Sequence, residues 1–291
     1  MASIASLFSI ETTFGALQMG TFVSIVYFRT YQSDGLSLKL TVGSLWVFDT
    51  IHTAFCVHLC HHYLVSNFAN PLGLLYSVWS LSGTVGVGAA ITLIANAYYV
   101  RRIYIIGNKN KILTAVTILL SGLQFGVALA ASIISSRIKF LPDFPKYSTN
   151  PCGVQWIMIW GLSVNTATDI VLAGSLMYLL QKGRTGYQKT DSIIDKLMTY
   201  TMSTGLITSI TATVCLISVV TMPTQFIYMA IHFVLKKLYS NSLLVWVNSR
   251  KGLLKDRPLY MAAATNSNQK DNLVSTPESK FTASGPIMII E

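Results

Sequence analysis

The chain has 291 residues, of which 52% belong to the hydrophobic set AVILMFWYC and only 11% are Asp, Glu, Lys or Arg, and its mean hydropathy is +0.53. Because a soluble domain carries about 25% charged residues, this composition excludes a soluble globular protein. The formal net charge of +10 at pH 7 is typical of some nucleic-acid-binding proteins. Here the basic residues flank apolar segments and form no continuous patch, so we predict no nucleic-acid partner.

Long apolar runs alternate with short charged clusters and helix-breaking residues along the chain. A transmembrane helix needs about 20 mainly apolar residues to cross a hydrocarbon core of roughly 30 Å. Dividing the chain at its charged clusters and proline segments gives seven such helices. In chain order they cover residues 12–31, 40–64, 72–100, 112–135, 154–180, 198–220 and 224–247. The predicted fold is therefore an all-α, polytopic membrane protein, whose first partner is the lipid bilayer.

The two ends of the chain differ from its middle. Only 17 residues separate Glu11 from Arg29, so the first span is the shortest. The N-terminal sequence lacks the basic region of a cleaved signal peptide. From Lys255 onward the sequence turns polar, which predicts a disordered tail over 255–291. The seven-helix domain is then predicted over residues 1–254.

Lys and Arg are distributed unevenly between the two sides of the predicted bundle. One side carries fourteen of them and the other three. The fourteen are Arg29, Lys39, Arg101, Arg102, Lys109, Lys111, Lys182, Arg184, Lys189, Lys196, Arg250, Lys251, Lys255 and Arg257, and the three are Arg137, Lys139 and Lys146. The positive-inside rule places the basic side in the cytosol. We therefore predict an external N-terminus and a cytosolic C-terminus, in a membrane that the sequence does not specify.

Several stretches resemble a known family. They are SLWVFDTIH, HHYLVSNFANPLGLL, RTGYQKTDSIIDKL followed by TGLITS, and FIYMAIHFVLKKLYSNSLLVWVNSRK. The residues that match the family pattern are Asp49, His52, His58, His62, Asn67, Asn70, Pro71, Asp169, Arg184, Thr185, Gly186, Asp191, Leu238, Tyr239, Ser240 and Asn241. From about Gly15 to Lys251 the chain resembles fungal, mainly basidiomycete, seven-helix membrane proteins defined by a domain of unknown function, of the 6534 type. The chain is shorter than that pattern near Ser24–Tyr31. The resemblance implies an integral membrane protein and no particular activity.

Three charged residues lie at similar depth inside the predicted spans. Asp49, Asp169 and Lys236 are each roughly 15 Å from the cytosolic end at 1.5 Å per residue. A charge at the bilayer centre costs about 2.5–3.5 kcal/mol, so such residues usually face the bundle interior and find partners. We predict that Asp49 or Asp169 pairs with Lys236 or Lys237, with Asn165 in the same polar cluster. The cluster is either a lock between helices or a switch, proton or cation site; alternatively, the lysines snorkel to the cytosolic surface.

Histidines are concentrated in the second span. His58 and His62 are four residues apart and therefore share one helical face near the outer surface. His232 in the seventh span could reach the same level. Three His ligands and a water would match a catalytic zinc site, although the Ser and Asp signatures of zinc membrane hydrolases are missing. The alternative is a set of interfacial His residues with no metal, and apart from this zinc alternative we predict no cofactor.

Other residues bear on the two surfaces. The four Cys residues have no metal or redox spacing, but Cys60 and Cys152 both lie near the outer side and are a candidate disulfide. Basic residues of the cytosolic connections are candidates for contact with a cytosolic signalling partner. These are Arg101, Arg102, Arg184 and Lys189.

The predicted topology is that of G-protein-coupled receptors, although topology alone does not give a function. The sequence favours a receptor-like or sensory protein whose ligand it does not name, with no catalytic residue. One alternative is a small-solute or ion transporter that uses the intramembrane Asp/Lys cluster. Another is a zinc-dependent membrane hydrolase that uses the His group.

Overall fold

The described part of the chain is helical almost throughout. The computed structural model describes residues 20–29, 35–67, 76–107, 110–138, 154–184, 188–222 and 227–248. These residues form seven helices: α1 (20–29), α2 (Leu36–Cys60), α3 (Trp79–Ile106), α4 (Lys111–Arg137), α5 (Val154–Lys182), α6 (Gln188–Thr221) and α7 (227–248). A π-helical segment, His61–Ser66, continues α2 without a break. The predicted all-α class is confirmed.

Among the described residues, five helices are long and apolar enough to cross a membrane, judged by length and composition. They cover Leu36–Tyr63, Trp79–Ile106, Lys111–Arg137, Trp156–Lys182 and Thr201–Thr221. α7 is less apolar, because it carries His232, Lys236 and Lys237. The chain is therefore an integral membrane protein that crosses the bilayer several times.

Helix boundaries differ from the prediction where charged residues flank an apolar run. α2 begins at Leu36 instead of residue 40, and α6 begins at Gln188 instead of residue 198. α3 ends at Ile106, six residues later than predicted. Lys and Arg are good helix formers, so they end an apolar run without ending the helix.

Other boundaries follow from local sequence. α3 begins at Trp79 and not at residue 72, since residues 76–78 are not helical. Its C-terminal end coincides with Gly107, as is common for helices. α4 begins after Asn110, whose side chain accepts hydrogen bonds from the backbone N–H groups of Ile112 and Leu113. The predicted tail over 255–291 and part of the first span lie outside the described residues.

Consecutive long helices pack antiparallel, as side-chain contacts show. Ser132 of α4 donates to the carbonyl of Ser82 at 2.8 Å, while Asn96 lies against Gln124 further along the same pair of helices. α1 packs beside α7, where Asn248 donates to the carbonyl of Val23 at 2.9 Å. We call the end where α3, α5 and α7 finish the basic end, because its connections hold most of the Lys and Arg residues.

Apolar side chains both fill the bundle and cover it. The largest buried cluster comes mainly from α1, α2, α3 and α7, with one residue each from α5 and α6, and includes Tyr27, Leu45, Ile91, Leu235 and Trp246. On the outside, α4 exposes large apolar side chains such as Ile112 at 79% and Leu119 at 74%. In water such a surface would aggregate, whereas in a bilayer it contacts lipid.

Candidate functional site

The first polar cluster is a buried ion pair between α2 and α7. Lys237 Nζ lies 2.8 Å from Asp49 Oδ1, and both residues are buried. The same ammonium donates to Thr53 Oγ1 at 2.5 Å and to the Asp49 carbonyl at 3.0 Å. All three N–H donors of Lys237 are thus used. The sequence predicted that one Asp pairs with one of the two lysines, and the structure brings Asp49 and Lys237 together.

Lys236, the next residue, faces α3 instead of α2. Its Nζ donates to Thr92 Oγ1 at 3.1 Å and lies 5.5 Å from the centre of the Tyr239 ring. Its aliphatic stem passes over Gly88, where an added Cβ would lie 3.0 Å from Lys236 Cγ. Within the described part of the chain, no carboxylate lies within 4.0 Å of its ammonium. The structure therefore does not form a direct Asp169–Lys236 pair.

The second polar cluster is a chain of hydrogen bonds across four helices, which we call the amide chain. Asn96 of α3 donates to Gln124 of α4 at 2.9 Å, and Gln124 donates to Asn165 of α5 at 2.5 Å. Asn165 donates to the Tyr239 hydroxyl of α7 at 2.9 Å, and Tyr239 donates to the carboxylate of Asp169.

Each member of the amide chain is buried, with at most 6% exposure. Asn165 also donates to Asp169, at 3.4 Å. An unpaired polar group in hydrocarbon costs several kcal/mol, so these partners account for polar side chains at mid-bundle. Asp169 thus finds hydroxyl and amide partners, and of the two Asp residues that the sequence offered as lysine partners, Asp49 is the one that pairs.

A large cavity lies on the side of the amide chain away from the basic end. α3 to α7 form its walls, which are mainly apolar, and it has about 90 Å³ of space for the centres of water-sized molecules. That is room for several waters, since one water needs about 10–15 Å³ by this measure. Its polar lining includes Thr92, Asn96, Gln124, Asn165, His232 and Lys236.

Two further hydroxyl groups line the large cavity. Ser121 and Ser135 of α4 are 7% and 2% exposed, and within the described residues neither Oγ has a hydrogen-bond partner. Buried hydroxyls are usually paired. Because both hydroxyls lie on the cavity wall, a ligand or water in the cavity can supply the missing hydrogen-bond partners.

A small pocket lies on the other side of the amide chain, towards the basic end. It has about 30 Å³ of space by the same measure, and Asp169, Tyr239 and Ser242 line it. Asn96 lines both this small pocket and the large cavity. The amide chain is therefore the layer that separates two internal spaces.

The three His residues of the predicted zinc site do not come together. His58 Nδ1 lies 2.9 Å from Ser80 Oγ, and its ring stacks on His62 at 6.4 Å. His232 instead lines the large cavity, with its ring edge-to-face against Phe233. Among the described residues no group of three or more His, Cys, Asp or Glu is placed to hold a metal ion. The predicted three-His set is therefore wrong.

The basic residues predicted to face a cytosolic partner have different environments. Arg101 donates to Ser37 Oγ at 3.1 Å, and Arg184 pairs with Asp195 at a half-exposed site. Arg102 is only 6% exposed, and its guanidinium lies 3.4 Å above the ring of Trp246. Arg102 therefore packs inside the bundle and does not form part of the surface. Lys189 lies in α6, and its side chain is outside the description.

The predicted disulfide falls partly outside the described residues. Cys60 forms no disulfide with another described cysteine, whereas Cys152 is not among the residues described. The Cys60–Cys152 bond stays a prediction.

Sequence reasoning missed Thr53, which completes the ion-pair cluster, and Thr92, which binds Lys236. It also missed the roles of Asn96, Gln124 and Tyr239 in the amide chain. A usable signal existed for Gln124, because it is the only amide or charged residue in the apolar run over 112–136. Isolated amides in a transmembrane helix often join helices by hydrogen bonds, so this pattern predicts a partner on a neighbouring helix.

Comparison with known proteins adds a partial match. Residues 165–252 match a family described as "Family of unknown function (DUF6534)". The matched segment holds Asn165, Asp169, Lys236, Lys237 and Tyr239, whereas the α2, α3 and α4 parts of the two clusters precede it. A search of curated proteins and a search of solved structures each found no match.

Proposed function

We propose that the chain is a receptor-like or sensory membrane protein whose ligand occupies the large cavity. In this proposal it has seven spans, an external N-terminus and a cytosolic C-terminus. The large cavity then opens from the outer half of the bundle, and the small pocket lies in the cytosolic half. The proposal assigns no catalytic residue and no cofactor.

The observation that supports this proposal best is that three members of the amide chain also line the large cavity. A ligand in the large cavity contacts Asn96, Gln124 or Asn165 directly. The same residues lead by hydrogen bonds to Tyr239 and Asp169, which line the small pocket. A ligand that favours one arrangement of the amide chain shifts the equilibrium between two states of the helix bundle.

In this proposal the cytosolic ends of α5 and α6 move when the bundle changes between its two states. Each end continues from a part of its helix that lines the small pocket, Leu172–Leu176 in α5 and Thr201–Thr208 in α6. The half-exposed Arg184–Asp195 pair joins the two ends outside the bundle. A cytosolic signalling partner that contacts this region would detect a change in their separation.

The test measures coupling across the amide chain. A Ser242→Cys reporter is placed in a chain whose native Cys56, Cys60, Cys152 and Cys215 are replaced, and its rate of reaction with a thiol reagent is followed. Asn165→Leu removes the hydrogen bond from Asn165 to Tyr239 and keeps a side chain of similar volume. We expect the rate to change about fivefold or more, the lower range of allosteric couplings.

The control for this experiment is the adjacent Thr166→Val. The Thr166 hydroxyl donates to the carbonyl of Leu162 within its own helix, so the control removes a polar group without cutting the amide chain. Equal reporter rates in the Asn165→Leu and Thr166→Val backgrounds would contradict the proposed coupling.

A second function, transport of a small solute or ion, is favoured by the two internal spaces on opposite sides of one polar layer. A transporter exposes a central site to each side in turn. Proteoliposomes that contain the purified protein would distinguish the two functions. Protein-dependent flux of protons, cations or small acids supports transport, whereas a receptor-like protein shows none.

A further inference from the structure

We infer that the large cavity binds a carboxylic acid with an elongated apolar body, and that the ammonium of Lys236 binds its carboxylate. This inference rests on the proposed function, because it names the ligand class of the same cavity. The sign of the charge, the free hydrogen-bonding capacity and the shape of the cavity support it independently.

The charge of the cavity favours an anion. Lys236 lies on its wall at 5% exposure, and no Asp or Glu is among the described residues that line it. Asp49 is occupied by Lys237, and Asp169 faces the small pocket, where Tyr239 and Asn165 bind it. A cation within the bilayer needs an anionic or polar partner, and an amine ligand would instead be repelled.

Hydrogen-bonding capacity favours an acceptor at the same place. An ammonium has three donors, and within the described residues Lys236 uses one, towards Thr92. A carboxylate is acceptor-only and can take both remaining N–H groups. Charge-assisted hydrogen bonds of this kind are about twice as strong as neutral ones.

The shape of the cavity favours an elongated apolar body. Its α3 lining runs from Leu81 to Asn96, which is roughly 22 Å at 1.5 Å per residue. Apart from the amide-chain residues at its inner end, the cavity is lined mainly by apolar residues such as Val85, Phe125, Leu162 and Val219. Lys236 lies near the deep end of this space, so the acid group enters first and the apolar body fills the rest.

Fatty acids from the membrane and water-soluble aromatic acids share this chemistry. Decanoic acid and 3-phenylpropanoic acid represent the two sources, and decan-1-ol and decylamine replace the acid group. Binding to the purified full-length protein in phosphatidylcholine nanodiscs is measured by displacement of a fluorescent fatty acid. We expect one or both acids to bind at least about tenfold more tightly than the alcohol, which corresponds to one charge-assisted hydrogen bond.

Variants of Lys236 test its role. Lys236→Met should abolish the preference for acid over alcohol, and Lys236→Arg should retain it because the charge and donors remain. Gly88→Ala should weaken acid binding, since its Cβ would displace the Lys236 stem, whereas Gly126→Ala meets no neighbour within 4 Å and is the matched control. Preference for decanoic acid indicates an acyl ligand, and preference for 3-phenylpropanoic acid an aromatic one.

Two results would overturn the inference. One is equal affinity for acid, alcohol and amine, and the other is an acid preference that persists in Lys236→Met. If Lys236→Met does not fold, loss of acid preference in Gly88→Ala decides the question. Failure here leaves the coupling measured with Ser242→Cys unaffected, so the ligand class and the proposed function fail separately.

Discussion

Adjacent lysines on α7 have different environments because successive residues of a helix are rotated by about 100°. Lys237 points to α2 and is saturated by Asp49 and Thr53. Lys236 points to α3 and lines the large cavity. Lys237 therefore joins α2 and α7, while Lys236 has N–H donors that can bind a ligand in the cavity.

The Asp49–Lys237 pair should couple strongly in a double-mutant cycle. Asp49→Asn and Lys237→Met each leave a buried partner unpaired, which costs about 3–5 kcal/mol, whereas removing both can be nearly neutral. We expect the double variant to recover much of the melting temperature lost by either single variant in detergent. Additive losses would show that the two residues do not interact.

A parallel cycle on Asp169→Asn and Lys236→Met serves as the comparison. Within the described part of the chain these residues make no direct ion pair, and both approach Tyr239, which donates to Asp169 and lies 5.5 Å from Lys236. We expect a clearly smaller coupling energy than for Asp49 and Lys237. A larger one would mean that the lysines have exchanged partners.

Tyr239→Phe should destabilise the bundle without changing its packing. It deletes the hydroxyl that Asn165 and Asp169 share, and leaves buried polar groups short of a partner at about 1–3 kcal/mol. Thermal unfolding in detergent should show a lower melting temperature. Tyr178→Phe is the control, because Tyr178 is 61% exposed. Equal melting temperatures for the two variants would contradict the amide chain.

At the level of helices, glycine sets the distance between α5 and α6. An added Cβ on Gly205 would lie 2.9 Å from the Cβ of Ala173. Small residues allow this kind of close approach in membrane proteins. The two helices meet beside the small pocket, which Gly205 and Ala173 both line, so their spacing determines the size of that pocket.

Gly205→Ala should therefore lower the melting temperature, and adding Ala173→Gly should restore part of the loss by returning the space. Gly126→Ala, which meets open space, should not destabilise the protein, since Ala is the better helix former. Unfolding of the purified variants in detergent measures all three effects. The close contact would be contradicted if Ala173→Gly gave no recovery.

The sequence predicted the existence of the helices well because hydrophobic length determines a transmembrane helix. The apolar run over 112–135 became α4 (Lys111–Arg137), and residues 154–180 became α5 (Val154–Lys182). Boundaries were wrong where charged residues extend a helix beyond the apolar run, as at the start of α6 (Gln188). The π-helical segment His61–Ser66 had no signal that we recognised.

The site was less predictable than the helices. Depth along a helix placed Asp49 near the lysines, but depth does not give rotation about the axis, which decides that Lys237 is the partner. It also did not predict that Asp169 is bound by Tyr239. Depth alone predicts His232 at the level of His58 and His62, whereas in the structure His232 lies in the cavity wall.

For the whole molecule, the uneven distribution of Lys and Arg predicts a cytosolic C-terminus. A tag fused after Glu291 should be protected from protease added to sealed cells and cleaved after the cells are permeabilised. An N-terminal tag in the same preparation is the control, and it should be cleaved without permeabilisation. A C-terminal tag cleaved in sealed cells would reverse the orientation.

The central claim is that the large cavity is a ligand site reached from the non-cytosolic side of the membrane. Ser121 lines it near its deep end and has no hydrogen-bond partner among the described residues, so Ser121→Cys is a minimal reporter. In a background without native cysteines, a membrane-impermeant maleimide should label it in right-side-out vesicles and not in inside-out vesicles. Labelling from both sides would indicate a transporter, and labelling only in inside-out vesicles would contradict the account.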